Sequence, residues 1–352
     1  MNAKENPAAL GRIEDLPASY IDALSAQNTT PLWPQLRSVM PHGCPTPRAR
    51  AHRWHYADIR PLLHQAGEMT PIEQAERRVL MLANPGMEGK PFATASIFFG
   101  LQLILPGEQA PNHRHSVSAA RMVMEGAGAW TTVEGQRCPM EKGDLILTPA
   151  QCWHEHGHDG DGPMVWLDAL DLPLAVAMDS AYAVEAPLQN APNQPDPSQT
   201  HYRRAGMVPA RRLERAAHQY PQYRYPWTEV RAALQDMATV TPVGEPVQLA
   251  YVNPETGAPC LPILGFSALM LRPGEQVSLG RTSASCGYLI VAGSGKTLIG
   301  DTELAWEQND VLAMPGHSTV VHRNDSGAEP AFLIQIDDGP MQRALGYFER
   351  FE

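Results

Sequence analysis

Short apolar runs of strand length, each closed by a glycine- or proline-containing turn, occur in two sets along the chain. The first set reads "LILPG", "MVMEGAG", "WTTVEG" and "DLILTP", the pattern of half-buried and buried strands in an antiparallel fold. The second set repeats it. "LQLILPGEQAPNHRH" (101–115) returns as "LMLRPGEQVSLGRT" (269–282), and "MVMEGAGAWTTVEGQRCPMEKGDLILTP" returns as "LIVAGSGKTLIGDTELAWEQNDVLAMP". The offset stays at 166–167 residues, with Gly126 answering Gly293 and Pro149 answering Pro315. A sustained offset of this kind predicts two related β-domains, 93–184 and 246–352.

The remaining segments carry other patterns. "IEDLPASYIDALSAQ", "TPIEQAERRVLML", "PARRLERAAHQY" and "TEVRAALQDMA" hold helix formers, the last opened by Thr228 as a predicted N-cap. "PHGCPTPRARAHRW" reads as irregular, and "EAPLQNAPNQPDPSQ" (185–199) as a linker or surface strap. Residues 1–92 are therefore expected to form a helical and extended arm, and 185–245 a linker with helices. The predicted class is an all-β core with minor helix.

Composition narrows the function classes. A length of 352 residues, 43% hydrophobic and 18% charged, suits a globular protein with a sizeable core. A formal net charge of −11 argues against a nucleic-acid binder, which needs clustered Lys and Arg. The five scattered cysteines, without a CxxC pair, predict reduced thiols and a cytoplasmic location. "MNAKENPAAL" lacks a signal-peptide pattern, and no membrane-spanning run is expected.

Histidines supply the candidate chemistry. His113 and His115 are two apart on a predicted strand, so both imidazoles face one point; His154, His156 and His158 follow a second strand signal. Neutral imidazoles so placed suit Fe, Zn, Cu or Ni. The halves read Gly107-x5-His113-x-His115 and Gly143-x5-Pro149-x4-His154. This pair of motifs resembles the cupins, small antiparallel barrels that hold a metal between two motifs. In the second copy the same slots hold Gly280, Thr282 and Val320, with His317 and His322 nearby, so that barrel is expected to be metal-free and kept for packing and assembly. One metal per chain follows.

Cupins often place a glutamate ligand shortly after HxH; here that slot is Ala119. Three neutral imidazoles leave open positions for a chelating substrate and O2, unlike the manganese bicupins that act on oxalate. A three-histidine bicupin with a blank second barrel resembles the gentisate 1,2-dioxygenase family, which includes salicylate and 1-hydroxy-2-naphthoate dioxygenases. The resemblance extends over "PLWPQLRSVMP", "PRARAHRWHYADIRPLL", "AERRVLMLANPG", "MVWLDALDLPL" and "YVNPETG". It implies Fe(II) on His113, His115 and His154, O2 as co-substrate, and cleavage of a 2-hydroxybenzoate between its carboxyl- and hydroxyl-bearing carbons.

By the same resemblance Arg121 pairs with the substrate carboxylate and Arg77 points into the cavity, Arg78 being the alternative one register away. Gln102 and Asp168 match polar pocket residues, and His156 one that bonds substrate or oxygen. A salt bridge is the structural alternative for Arg121, and a purely structural role for Asp168. The sequence departs from the family at "HRHSVSAARMV", at Gly157-His158, and at Phe98, where Trp or Tyr is usual. Losing that NH or OH changes substrate recognition and leaves gentisate, salicylate and 5-substituted salicylates open. His158 has no assigned role. The resemblance also implies a homotetramer, with Leu32 and Met40 in an arm that reaches a neighbouring subunit. A non-oxidative metal-dependent cupin of isomerase type and a ligand-binding bicupin without turnover remain as other classes, to be separated by bound metal and O2 uptake.

Overall fold

A computed structural model describes residues 11–186 and 194–351. The opening "MNAKENPAAL" and the 187–193 part of the predicted linker lie outside the described residues. The chain divides into one unit ending at Pro47 and another beginning at Arg48. The first holds a short 3-10 turn, Ile13–Asp15, and the helices Ala18–Ala26 and Leu36–Val39. All that follows concerns the second unit.

Two β-barrels, each made of two facing sheets, form this unit. In the first, one sheet runs in the order Arg224–Tyr225, Leu145–Thr148, Ala119–Glu125, Met164–Leu170, Phe98–Ile104, Arg78–Met81. Its partner runs Ala183–Glu185, Gln109–His115, His154–His158, Ala129–Val133, Gln136–Pro139, Gln194–Pro195. The second barrel repeats the eight central strands at the offset read from the sequence, from Gly265–Leu271 to Ala331–Asp337. Even the strap is repeated: Ala183 pairs with His115 in the first barrel, and Arg350 with Thr282 in the second. The bicupin architecture is what the structure shows.

Strand alternation decides what each side chain meets. From Phe98–Ile104, Phe99, Leu101 and Leu103 point outward into a core shared with Phe266, Ala268 and Ile334 of the second barrel. The two barrels are therefore stacked sheet against sheet through fully buried apolar faces, each large side chain contributing about 1.5–3 kcal/mol. The alternate residue Ile104, with Trp166 on the neighbouring strand and Val123 on the strand beyond it, turns into the first barrel. Gly126 and Gly293 close the same turn in both barrels at φ +94° and +96°, where an added Cβ would lie 2.5 Å from the Pro163 carbonyl and 2.7 Å from Ala331 Cβ respectively.

Several local expectations are corrected. "TPIEQAERRVLML" is not one helix: Ile72–Ala75 makes a single turn that Glu76 ends at φ 53°, and Arg78–Met81 then pairs with Phe98–Ile104 as an edge strand. In the stretch read as irregular, His52–Trp54 adds a strand to the second barrel. The helix Tyr56–Met69 was not expected because Pro61 lies inside it; buried Tyr56 and Leu63, one heptad apart, hold it to the core. "PARRLERAAHQY" forms only the 3-10 turn Ala210–Glu214. Arg212 and Arg215 lie 3.3 and 3.8 Å from Glu255, and the His218 amide donates to the same carboxylate, so tertiary contacts override helix propensity. The helix over 227–238 forms, yet it starts at Trp227 behind Pro226, and Thr228 makes no cap. None of the described helices is long and apolar enough to cross a membrane.

Candidate metal and substrate site

His113 and His115 end the strand Gln109–His115, and His154 begins the strand His154–His158 that pairs with it, His113 directly opposite His154. The three imidazoles converge inside the first barrel, with ligand atoms all within 4.8 Å of one another. Their outer nitrogens are all engaged: Nδ1 donates to the carbonyls of Pro111 (3.0 Å), Val117 (2.7 Å) and Cys152 (2.9 Å) respectively. A carbonyl can only accept, so each ring carries its proton on Nδ1 and presents an Nε2 lone pair to the shared centre. His154 Nε2 is buried without a protein partner. This donor set fits a metal: neutral imidazoles, tautomers fixed by backbone, and lone pairs aimed at one point. No fourth His, Cys, Asp or Glu joins the group among the described residues, and buried Ala119 stands in the glutamate slot.

Electrostatics favour the neutral form. Burial, helped by the nearby Arg77 guanidinium, pushes the His113 imidazole down to about 3. Burial does the same for His115, to about 4, and holds His154 and His156 well below the ordinary histidine value. Protons therefore compete weakly for these lone pairs. Metal content of the loaded protein, measured after dialysis across acidic buffers, is expected to hold well below the ordinary histidine value of 6.5 and to fall only as pH approaches the His115 value of about 4. Loss centred near the ordinary value would show that the rings are not shielded.

Across the barrel stand the carboxylate-binding candidates. Arg121 faces Asp168 on the neighbouring strand. Its Nε lies 3.2 Å from Asp168 Oδ1, and its Nη1 donates to Thr148 Oγ1 at 2.6 Å. Trp166 Nε1 donates to the other Asp168 oxygen at 3.2 Å. Arg121 and Asp168 are thus one buried pair, and the salt-bridge alternative considered for Arg121 is present in the structure. Burial raises the Asp168 carboxyl, and the Arg121 charge opposes that rise.

Arg77 follows the positive-φ Glu76, and its Nε is buried without a partner. Its charge is felt by His113, His115 and Asp168. Arg78 instead bonds Glu108 and the carbonyls of Gly67 and Thr70, which leaves Arg77 as the arginine facing the site. Gln102 is buried on the strand between Arg78–Met81 and Met164–Leu170, opposite Trp166. Phe98 packs at the end of that strand with Ala49, Met87 and Phe92.

His156 lies 5.7 Å, ring to ring, from His154 and 5.6 Å from Trp166. Thr131 Oγ1 sits 2.8 Å from its Nδ1 and 3.3 Å from Met140 Sδ. Imidazole nitrogen is the better acceptor, so the hydroxyl donates to Nδ1 and the buried, unpartnered Nε2 carries the N–H. The arrangement has a twin: in the second barrel Thr297 Oγ1 lies 2.7 Å from His322 Nδ1, and Trp306 replaces Met140 as its other neighbour. The histidine–threonine pair is therefore part of the barrel design, and only the first barrel sets it beside three further histidines. His158 is a loop clamp. It accepts from the Gly160 amide at 3.2 Å and donates to the Gly162 carbonyl, pinning the turn after its strand. Thr131 and Thr148 escaped the sequence reading, because a threonine inside an apolar strand carries no motif.

Comparison with known proteins agrees with this geometry. Residues 100–170 match the cupin domain. The chain is 47% identical to a gentisate 1,2-dioxygenase of Ralstonia sp, over 97% of this chain and 96% of that one. It is 34% identical to a 5-aminosalicylate 1,2-dioxygenase of Comamonas sp, over 95% and 89%. The structure superposes on salicylate 1,2-dioxygenase from Pseudoaminobacter salicylatoxidans in its gentisate adduct with a TM-score of 0.90 and 28% identity, covering 99% and 97% of the two chains.

Proposed function

This chain belongs to the gentisate 1,2-dioxygenase family of ring-cleaving oxidoreductases, and from that premise we propose an Fe(II)-dependent enzyme that opens a 2-hydroxybenzoate between its carboxyl- and hydroxyl-bearing carbons. The observation that carries the reading is the convergence of three Nδ1-protonated imidazoles on one point opposite two arginines. Fe(II) held by His113, His115 and His154 would supply the open positions at which a chelating hydroxybenzoate and O2 meet.

The chain's own residues do the rest. Arg77 and Arg121 offer planar guanidinium forks to the substrate carboxylate. Asp168 and Thr148 hold Arg121 in place, while Arg77 has unspent donor capacity at its buried Nε. Gln102 and Phe98 lie along one strand of the wall, the first polar and the second apolar. His156, fixed by Thr131, presents an N–H to an oxygen atom of the substrate or of O2. Phe98 offers no hydrogen bond where the family resemblance leads one to expect Trp or Tyr, so salicylate and 5-substituted salicylates stand beside gentisate as substrates. The assembly proposed is a homotetramer in the cytoplasm. The barrel of 93–184 would hold the metal and the 246–352 barrel would not; 1–92 and 185–245 serve as arm and linker that also lend the barrels edge strands, Arg78–Met81, Gln194–Pro195 and Arg224–Tyr225 to the first and His52–Trp54 to the second.

His156→Ala is expected to keep its metal and to lose ring cleavage by about 10²–10⁴-fold, the range for a positioned proton donor. Metal analysis beside steady-state rates on gentisate, salicylate and 5-nitrosalicylate checks this and ranks the substrates. A variant that loses metal would make His156 a ligand, and one that loses neither would remove it from the reaction.

A further inference from the structure

The second barrel keeps an open space where the first has its histidines. Gly280 faces Val320 in the register in which His113 faces His154, and both, with Thr282, line a cavity of about 320 Å³. A site that had merely lost its metal would be free to fill with apolar side chains, because unpaired polar groups inside a barrel cost free energy. Part of the lining has done so: at the repeat offset Arg121, Thr148 and His154 of the first barrel are answered by Tyr288, Met314 and Val320. Beside them polar groups have entered, Gly100, Leu170, Val176 and Ala183 being answered by Ser267, Asp337, Arg343 and Arg350, all lining this cavity.

These groups are organised. Gln248 Nε2 donates to Ser267 Oγ at 2.7 Å and to Gln335 Oε1 at 3.0 Å. Gln335 donates in turn to Asp337 Oδ2 at 3.2 Å, and the Gly339 amide to Asp337 Oδ1 at 2.8 Å. Ser267, itself buried, accepts from Gln248, and among the described residues its own hydroxyl hydrogen has no acceptor. Above this floor two exposed guanidiniums stand at the rim: Arg343, stacked 4.0 Å over the Phe348 ring, and Arg350, on the closing strand. The lining carboxyl Asp337 is raised by burial, against the Gly339 amide, the Arg343 charge and the Gln335 hydrogen bond, which favour its charged form. The lining is thus rich in donors, positive at the rim and flanked by an aromatic ring.

We propose that the second barrel binds a small organic carboxylate in this cavity, separately from the metal site. Guanidinium pairs recognise carboxylates by bidentate hydrogen bonds, and the free serine hydroxyl supplies a further donor below. An aromatic hydroxybenzoate and a ring-opened dicarboxylate share this chemistry.

The test is a calorimetric titration of Fe(II)-loaded, anaerobic protein with salicylate, and separately with maleate, up to about 10 mM, the weak end of specific affinity. Salicylate is expected to give two equivalents per chain. Stripping the metal removes one equivalent and leaves the other, so failure of the metal-site reading and failure of this one are told apart. The Arg343→Gln/Arg350→Gln chain is expected to lose the second equivalent and to cleave substrate at the wild-type kcat/KM. Ser267→Ala, which removes only the floor donor, is expected to weaken the second equivalent about tenfold. Maleate competing for the second equivalent assigns it to ring-opened acids as well, and failure to compete restricts it to aromatic ones. A single equivalent in the wild type, two in the double variant, or phenol binding as well as salicylate would overturn the proposal.

Discussion

His154→Ala is expected to empty the metal site and to abolish ring cleavage, since the bound metal ion is what would bring substrate and O2 together. The structure makes this substitution the most direct of the three possible ones. His154 is fully buried, its Nδ1 is bound to the Cys152 carbonyl, and its Nε2 has no partner in the protein. Its ring lies 4.1 Å from that of His113 and 4.7 Å from that of His115, so it is the member common to both contacts. Removing it leaves two imidazoles on one strand, a half-site that holds metal poorly. The fold is expected to form, because no charge is stranded and the strand His154–His158 keeps its backbone pairing on both sides. Metal content by elemental analysis, set against an unchanged far-ultraviolet spectrum, reads the result. Metal retained at the wild-type level would mean that the ligands have been misassigned.

The second large effect concerns the Arg121–Asp168 pair. Arg121→Met is expected to cost about 3–5 kcal/mol of stability, because it leaves a carboxylate buried without its partner. Adding Asp168→Asn should restore most of that loss, since Asn removes the stranded charge and still accepts from Trp166 Nε1. Substrate binding should not be restored with it. If Arg121 holds the substrate carboxylate, KM stays raised in both variants while stability recovers in the double one. Urea unfolding beside steady-state kinetics separates the two roles. A double variant with wild-type KM would make the pair purely structural and leave Arg77 as the carboxylate anchor.

Much of this could be read from the chain alone, and the reason is physical. A repeat that keeps its offset through every strand fixes the double barrel. Paired strand motifs ending in His113, His115 and His154 bring the three imidazoles together, because alternation in a sheet leaves side chains few directions to take. The blank slots of the second barrel also fall where expected, Gly280 opposite Val320. What the sequence hid depends on contacts distant along the chain. Arg77 and Arg78 could not be told apart until Glu108 and two carbonyls were seen to hold Arg78. His158 looked chemical and proved to be a clamp on its own turn, invisible without the Gly162 carbonyl. The helix Tyr56–Met69 was masked by Pro61, and the 209–220 segment was drawn out of a helix by Glu255. The pairing of Arg121 with Asp168 joins residues far apart in sequence, and only the register of their strands reveals it.

His156 shows a different limit. Its hydrogen bond to Thr131 looks like a catalytic arrangement when the first barrel is viewed alone. The same bond between Thr297 and His322, in a barrel without the three histidines, shows that the pair belongs to the fold first. Any role in the reaction must come from its neighbours: the three converging imidazoles on one side and the Arg121–Asp168–Trp166 wall on the other.

The central claim is that three imidazoles and two arginines make one oxygen-dependent ring-cleaving site. Its most direct test loads the purified protein with Fe(II) under anaerobic conditions, adds gentisate or salicylate, and admits ¹⁸O₂ while oxygen uptake and product mass are followed. The account predicts one O2 consumed per substrate and both labelled atoms in a ring-opened acid, with neither signal in His154→Ala. No oxygen uptake with any 2-hydroxybenzoate by the iron-loaded protein would contradict it.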